Sequence, residues 1–257
     1  MTKREILAVE LRELAESIAA DVGTQILERR RSGFDWTTKS TSTDVVTEVD
    51  TWSEETIVRS IQVHRPDDGL LGEEGASAPG STGVTWVIDP VDGTTNFLYD
   101  LPGFSVSIGV EFEGERLAGA VYDPVRAELF SAAVGKGATV NGQTIRASDA
   151  DTLSTALVGT GFSYDATDRV HQAQALTSII PVVRDIRRLG GAALDFCAVA
   201  TGRLDAYFER GVKPWDSAAG ALIASEAGAV VQTADLTYAV APKLASTFVE
   251  MLETSGA

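Results

Sequence analysis

The sequence predicts a mixed fold in which helices and strands lie in layers. Three observations carry this expectation. Segments with the 3.6-residue period of helices alternate with short segments that read as strands. A chain of 257 residues buries about 70–75% of the surface exposed by its unfolded form, so it builds a core without staples. No linker, internal repeat or low-complexity tract divides it. Two closely packed subdomains are expected, residues 1–145 (α+β) and residues 146–257 (α/β).

The elements follow in order. Leu7, Leu11, Leu14, Ile18, Val22 and Ile26 recur at steps of three and four and mark one face of a long first helix. Thr2 and Glu5 have the spacing of a capping box, and Arg29, Arg30 and Arg31 sit at a C-terminal end that favours cations, read as a solvated end. A polar stretch, residues 37–44, is dense in turn formers. A second helix is expected from about Asp50 to Ile61, with Thr51 and Glu54 as its capping box. The middle is strand-rich: Trp86 to Ile88, a half-buried strand with Val106, Ile108, Val110 and Phe112 in alternation, a turn at Glu113-Gly114, then Leu117 to Tyr122, Glu128 to Val134 and Ala138 to Val140. Beyond residue 145, helices are expected near His171 to Ile180, Ala192 to Ala200 and Ser217 to Ala227. Extended segments are expected at Val183 to Ile186, Leu204 to Phe208 and Ala229 to Gln232.

Composition narrows the function. With 44% hydrophobic and 23% charged residues the chain is neither disordered, collagen-like nor a disulfide scaffold. The net charge of −16 repels phosphate backbones, so no nucleic-acid partner is expected. A small anionic substrate needs local cations, and divalent metals are the natural way to reverse the sign. The single cysteine, Cys197, lies in an apolar stretch and reads as a buried structural thiol. Glu10, Glu13 and Glu16 argue against a signal peptide, and no run of 18 apolar residues occurs, so a cytoplasmic protein off the membrane is expected.

Three acidic clusters stand out: Gly72-Glu73-Glu74-Gly75, the segment Trp86-Val87-Ile88-Asp89-Pro90-Val91-Asp92-Gly93-Thr94-Thr95-Asn96-Phe97, and Pro214-Trp215-Asp216-Ser217. Asp89 follows an apolar strand, Pro90 locks a turn and Gly93 permits close backbone approach, so Asp89, Asp92 and the Val91 carbonyl can converge. Hard cations such as Mg²⁺ take such oxygen ligands. Gly93-Thr94-Thr95 can open a helix whose free N–H groups suit an anion. Each piece alone has a plainer explanation: an ordinary turn for either Asp, a solvated loop for Glu73-Glu74, a helix N-cap for Asp216. The complete segment is far less probable by chance.

These clusters, with Lys39-Ser40, Asp44, Thr47-Glu48-Val49-Asp50, Gly190-Gly191-Ala192-Ala193-Leu194-Asp195 and Gly202-Arg203-Leu204-Asp205-Ala206-Tyr207, resemble the inositol monophosphatase family over nearly the whole chain, in detail the bacterial inositol-1-monophosphatases. The resemblance implies a layered αβαβα sandwich, a homodimer, lithium sensitivity, and Mg²⁺-dependent hydrolysis of myo-inositol 1-phosphate or a related sugar-alcohol phosphate. It implies two or three Mg²⁺ ions: Glu73, Asp89 and the Val91 carbonyl at the first, Asp89, Asp92 and Asp216 at the second, and a weaker third sharing Glu73. Thr94, paired with Asp50, would help activate the attacking water. Gly93, Thr94 and Thr95 would bind phosphate, with Lys39 near it. Glu209, Asp92, Asp216 and the Gly191-Ala192 segment would face the alcohol.

The chemistry agrees with the residues. Phosphate-monoester hydrolysis is among the slowest uncatalysed reactions, and its catalysis is mostly positioning and cationic stabilisation. It needs no Cys or His nucleophile, which suits a chain with two histidines. The sequence departs from the family pattern at Gly191, where Ser or Thr is common, and in a shortened loop between Val231 and Val240-Ala241. Arg184, Arg187 and Arg188 read either as a basic patch or as partners for acidic residues. Trp86 and Trp215 read as packing behind the site, Asp195 and Asp205 as surface or structural carboxylates, and His64 and His171 as bland. The alternatives are histidinol phosphate, fructose bisphosphate or a 3′-phosphorylated nucleotide as substrate, and a regulatory binding protein with the same fold.

Overall fold

The computed structural model describes residues 2–39, 41 and 43–257. Ser40, part of the Lys39-Ser40 motif, and Ser42, in the same polar stretch, lie outside the described residues.

Helix α1 (Lys3–Ser32) begins on the expected capping box, in which Thr2 Oγ1 accepts from Glu5 N and Glu5 Oε2 accepts from Thr2 N. Its buried stripe is Leu11, Ile18, Val22 and Ile26 with Ala8, Ala15 and Ala19 filling between. Its C-terminal arginines are not simply solvated. Arg29 stacks on Trp52 at 3.6 Å, and Arg30 pairs with Asp100 at 2.8 Å. A short hairpin, β1 (Trp36–Thr38) and β2 (Val45–Thr47), leads into α2 (Glu48–His64). Helix α2 starts earlier than the sequence predicts. Its capping box is Thr47 with Asp50, and Glu54 is released for another task.

The large sheet comprises β3 (Gly69–Gly72), β4 (Ser77–Ala78), β5 (Val84–Asp92), β6 (Ser105–Phe112), β7 (Glu115–Asp123), β8 (Glu128–Ala133), β9 (Ala138–Val140) and β10 (Gln143–Thr144), in the order β10-β9-β8-β7-β6-β5-β3-β4. The alternation in β6 suggests one wet face, yet Ser105 to Val110 are buried on both. Helix α1 packs on one side of β6 and α6 (Pro214–Glu226) on the other, and the small residues Ser105, Ser107 and Gly109 let α6 approach. A short helix, α3 (Thr94–Leu98), follows β5.

The second sheet holds β11 (Leu157–Thr160), β12 (Asp185–Arg187), β13 (Ala206–Arg210), β14 (Val230–Gln232) and β15 (Leu236–Val240), in the order β12-β11-β13-β15-β14. Helix α5 (Ala192–Ala200) and α6 fill the space between the sheets, where Phe196, Tyr207, Ala219 and Ile223 are buried together. Helix α4 (Ala166–Ile179) and α7 (Ala245–Ser255) cover the outer face of the second sheet through Ile179, Phe248 and Leu252. The layers are therefore helix, sheet, helix, sheet, helix, the αβαβα sandwich that the resemblance implies. The segment that the sequence reads as a shortened loop forms the turn between β14 and β15, where Thr233 accepts from Arg116 at 2.7 Å. No helix among the described residues is long and apolar enough to cross a membrane.

Candidate active site

Strand β5 positions the central carboxylates. Two residues three apart on a regular strand point to opposite faces. Here the pairing with β6 shifts, because Asp89 faces Ser107 while Asp92 faces Ser105. The residues between form a bulge, where a proline such as Pro90 is tolerated and side chains are re-aimed. The strand thus continues through Pro90 to Asp92, where the sequence suggests a turn after Ile88. The bulge brings both carboxylates to one spot. Gly93 ends it with φ +87°, a conformation that favours glycine, and its own carbonyl accepts from Phe97 N at 3.1 Å to start α3.

Asp216 comes from the first turn of α6. It is not the N-cap but the third helical residue, and its Oδ2 reaches back to accept from Lys213 N at 2.7 Å. One ligand oxygen each from Asp89, Asp92 and Asp216 lies within 4.8 Å of the others. Asp89 and Asp92 are buried. Glu73, the first residue of the β3–β4 turn, lines the same cavity, and its charge acts on Asp89, Asp92 and Asp216 although it lies outside that cluster of three.

The electrostatics are those of a site built for cations. Burial, then the charges of Glu73, Asp92 and Asp216, push the Asp89 carboxyl well up. Burial and Asp216 push Asp92 to about 8, and burial raises Asp216 to about 7. Among the described residues, Lys39 makes the ion pairs at these carboxylates, with Nζ at 2.8 Å from Glu73 and 2.5 Å from Glu74. Burial works against the Lys39 ammonium, but Glu73 and Glu74 outweigh it and hold the proton on. A hard, all-oxygen donor set with so few cations fits Mg²⁺ through Asp89, Asp92, Asp216 and Glu73.

Thr94 Oγ1 lies 3.1 Å from Asp50 Oδ1 and 3.0 Å from the Val91 carbonyl, as donor to either. Asp50 also accepts from Thr47 N at 2.8 Å and from the Thr47 hydroxyl, and burial raises its carboxyl to about 6. On the far side, Asp92 accepts from Ala192 N at 3.1 Å and Ala193 N at 2.9 Å, so it caps α5 from another strand. Gly191, the N-cap of α5, has no side chain for that task, and a Cβ there would sit 2.8 Å from Asp92 Oδ2.

These groups line one cavity of about 630 Å³, which takes in Lys39, Asp44, Glu73, Asp89, Val91, Asp92, Gly93, Thr94, Gly191, Ala192, Glu209 and Asp216. Asp50 sits behind Thr94 rather than on the wall. Thr95 does not reach the cavity; its carbonyl accepts from Tyr99 N at 3.1 Å. Asp195 lines the cavity although the sequence suggests a surface or structural role. It is 1% exposed, its Oδ1 has no hydrogen-bond partner, and burial followed by the Glu209 charge holds its carboxyl well up. Only its position in the first turn of α5, beside Gly191-Ala192, could have signalled this. Asp205 is structural, accepting from Ser148 and from Leu157 N. Of the arginines, Arg187 pairs with Asp185 and Arg184 binds the Thr155 carbonyl, while Arg188 lines the cavity. Trp86 is fully buried and donates to Asp68 at 3.0 Å, whereas Trp215 lines the cavity. His171 lies in a neighbouring pocket instead.

Comparison with known proteins identifies the family. The sequence profile described as "Inositol monophosphatase family" matches residues 8–251. The chain belongs to the inositol monophosphatase family. Among family members, it is similar to the inositol-1-monophosphatase SuhB of Mycobacterium tuberculosis, 45% identical over 250 residues, covering 90% of this chain and 86% of that protein. It is also similar to a protein named Nus factor SuhB from Pasteurella multocida, 45% identical over 204 residues, covering 79% and 76%. The solved structure of Mycobacterium tuberculosis SuhB superposes with a TM-score of 0.85 at 43% identity, covering 96% of this chain and 97% of that one. The family fold and the bulged β5 segment thus occur in one chain.

Proposed function

We propose that this family member is a Mg²⁺-dependent phosphomonoesterase that hydrolyses myo-inositol 1-phosphate and related small sugar-alcohol phosphates. The observation that carries the reading is the convergence of Asp89, Asp92 and Asp216 within 4.8 Å beside Glu73. Glu73, Asp89, Asp92, Asp216 and the Val91 carbonyl would hold two or three Mg²⁺ ions. Bound there, Mg²⁺ supplies Lewis acidity, lowering the pKa of water and offsetting phosphoryl and leaving-group charge.

The chain's own groups account for the rest. The Thr94 hydroxyl can take a proton from the attacking water while passing its own to Asp50 Oδ1, 3.1 Å away. Burial raises Asp50 enough for it to accept that proton near neutral pH. Gly93 and Thr94 would orient phosphate, and Lys39 would exchange its carboxylate partners for the incoming phosphoryl charge. Asp92, Glu209, Gly191 and Ala192 would face the alcohol, and we place Asp216 at the edge of that contact. We further read the protein as a cytoplasmic homodimer.

The test is phosphate release from inositol 1-phosphate, histidinol phosphate, fructose bisphosphate and a 3′-phosphorylated nucleotide, each with Mg²⁺ and with chelator. Mg²⁺-dependent release highest for inositol 1-phosphate supports the reading; preference for another substrate moves the assignment within the family. The relative named Nus factor SuhB favours a second reading, a regulatory protein of the same fold. A Glu73→Ala variant that lost phosphatase activity but kept the cellular role would select it.

A further inference from the structure

Glu54 is a buried carboxylate that the chemistry above does not use. It lies on α2, 5% exposed, and makes no ion pair among the described residues. Its Oε2 accepts from Glu74 N at 2.8 Å and its Oε1 from Ala76 N at 2.8 Å. Those two amides belong to the turn that carries Glu73. The same turn is closed by Gly72 N to the Ala76 carbonyl at 2.7 Å and tied to β5 by Glu73 N to the Ile88 carbonyl at 3.1 Å. Gly72 is what admits the carboxylate: a Cβ there would sit 2.2 Å from Glu54 Oε2.

A carboxylate that accepts two amide N–H bonds makes two charge-assisted hydrogen bonds from one rigid fork. With both oxygens engaged, Glu54 fixes the turn from behind, and the Glu73 side chain is left to face Lys39 and Asp89. We infer that Glu54 is a positioning residue for Glu73, setting the metal affinity of the site without touching metal or substrate. This rests on the reading of Glu73 as a metal ligand. Groups that orient a metal ligand in this way are commonly worth about 10–100-fold in affinity. A turn stabiliser with no bearing on the site would alter thermal stability and leave metal affinity alone.

The experiment is calorimetric titration of the full, metal-free chain with Mg²⁺, together with hydrogen exchange at the Glu74 and Ala76 amides. The variants are Glu54→Gln, Gly72→Ala, the double variant and Glu73→Gln. In Glu54→Gln one of the two N–H groups meets an NH₂, donor against donor. Mg²⁺ binding should weaken about 10–100-fold and both amides should exchange faster. Gly72→Ala should reproduce the loss by displacing the carboxylate, and it keeps the test open should Glu54→Gln fail to fold. The double variant should be no weaker than the worse single variant, because both remove one interaction. Weak binding in Glu73→Gln with wild-type binding in Glu54→Gln and Gly72→Ala would overturn the positioning role. Wild-type binding in Glu73→Gln would instead overturn the ligand reading, and the inference with it.

Discussion

Replacing Asp92 by Asn separates the two tasks of that side chain. In the metal-free protein its carboxylate lies within 4.8 Å of ligand oxygens of Asp89 and Asp216. Two unit charges at that distance repel by about 3 kcal/mol at an effective dielectric of about 20. At pH 8, where Asp92 is held near half-ionised, Asp92→Asn removes that repulsion together with the cost of keeping the carboxyl protonated. It also leaves one of the two α5 amides, Ala192 N or Ala193 N, facing an NH₂ group. An unmet buried N–H costs about 1–3 kcal/mol. Repulsion relieved matches or exceeds the cap lost, so the metal-free variant should be at least as stable as the wild type at pH 8. Metal should separate them. At a Mg²⁺ concentration of about 100 Kd, the wild type gains about 2.7 kcal/mol. For a chain near this length that raises Tm by about 5–11 °C. A site weakened about a hundredfold gains only ~0.4 kcal/mol, or about 1–2 °C, at the same concentration. Thermal melts at pH 8, with EDTA and with Mg²⁺, read both effects. Turnover should fall by at least about a hundredfold, the loss that goes with about 3 kcal/mol of barrier. A variant with the full Mg²⁺-induced rise in Tm, or with near-normal turnover, would refute the placement of Asp92 at the metal.

The remaining predictions concern pH, lithium and the alcohol side. Asp92 and Asp216 are raised from the usual carboxylate range to about 8 and about 7, so the stability they lend is present below about pH 4 and lost as pH rises through those values. The metal-free protein should therefore melt lower at pH 8 than at pH 5.5, by up to about 1.4 kcal/mol per pH unit for each proton released; an equal or higher Tm at pH 8 would contradict the cluster's electrostatics. Lithium should inhibit phosphate release by occupying a magnesium position, and full activity at high lithium would count against that shared site. A Cβ at Gly161 would sit about 2 Å from the Glu209 carboxylate, so Gly161→Ala should push Glu209 away and raise KM for inositol 1-phosphate with little change in Mg²⁺ affinity. An unchanged KM would remove Glu209 from the alcohol contact.

Much of the site was legible because its chemistry is concentrated in short motifs. The segment from Trp86 to Phe97 carries an apolar strand, two carboxylates and a helix start in twelve consecutive positions, and all act locally. The bulge within it was not legible. It exists only relative to the partner strand, since β6 offers three residues from Ser105 to Ser107 against four from Asp89 to Asp92. Glu54 was misread for a similar reason. Thr51 and Glu54 have capping-box spacing, yet Thr47 and Asp50 cap α2, and Glu54 serves a turn twenty residues away in sequence. Asp195 reads in the sequence as a surface or structural carboxylate; the packing of α5 against the second sheet buries it. Alternation in β6 signalled one apolar face, but small residues allowed a helix onto the other. Sequence periodicity reports the polarity of a segment, whereas burial depends on what the rest of the chain lays over it.

The central claim is that Glu73, Asp89, Asp92 and Asp216 together hold the metal that the reaction needs. It is tested most directly by anomalous diffraction from crystals of the protein grown with Mn²⁺ and inorganic phosphate. The account predicts anomalous peaks coordinated by Asp89, Asp92, Asp216 and Glu73, with phosphate beside Gly93 and Thr94. Well-ordered crystals at saturating Mn²⁺ with no peak at these carboxylates would contradict it.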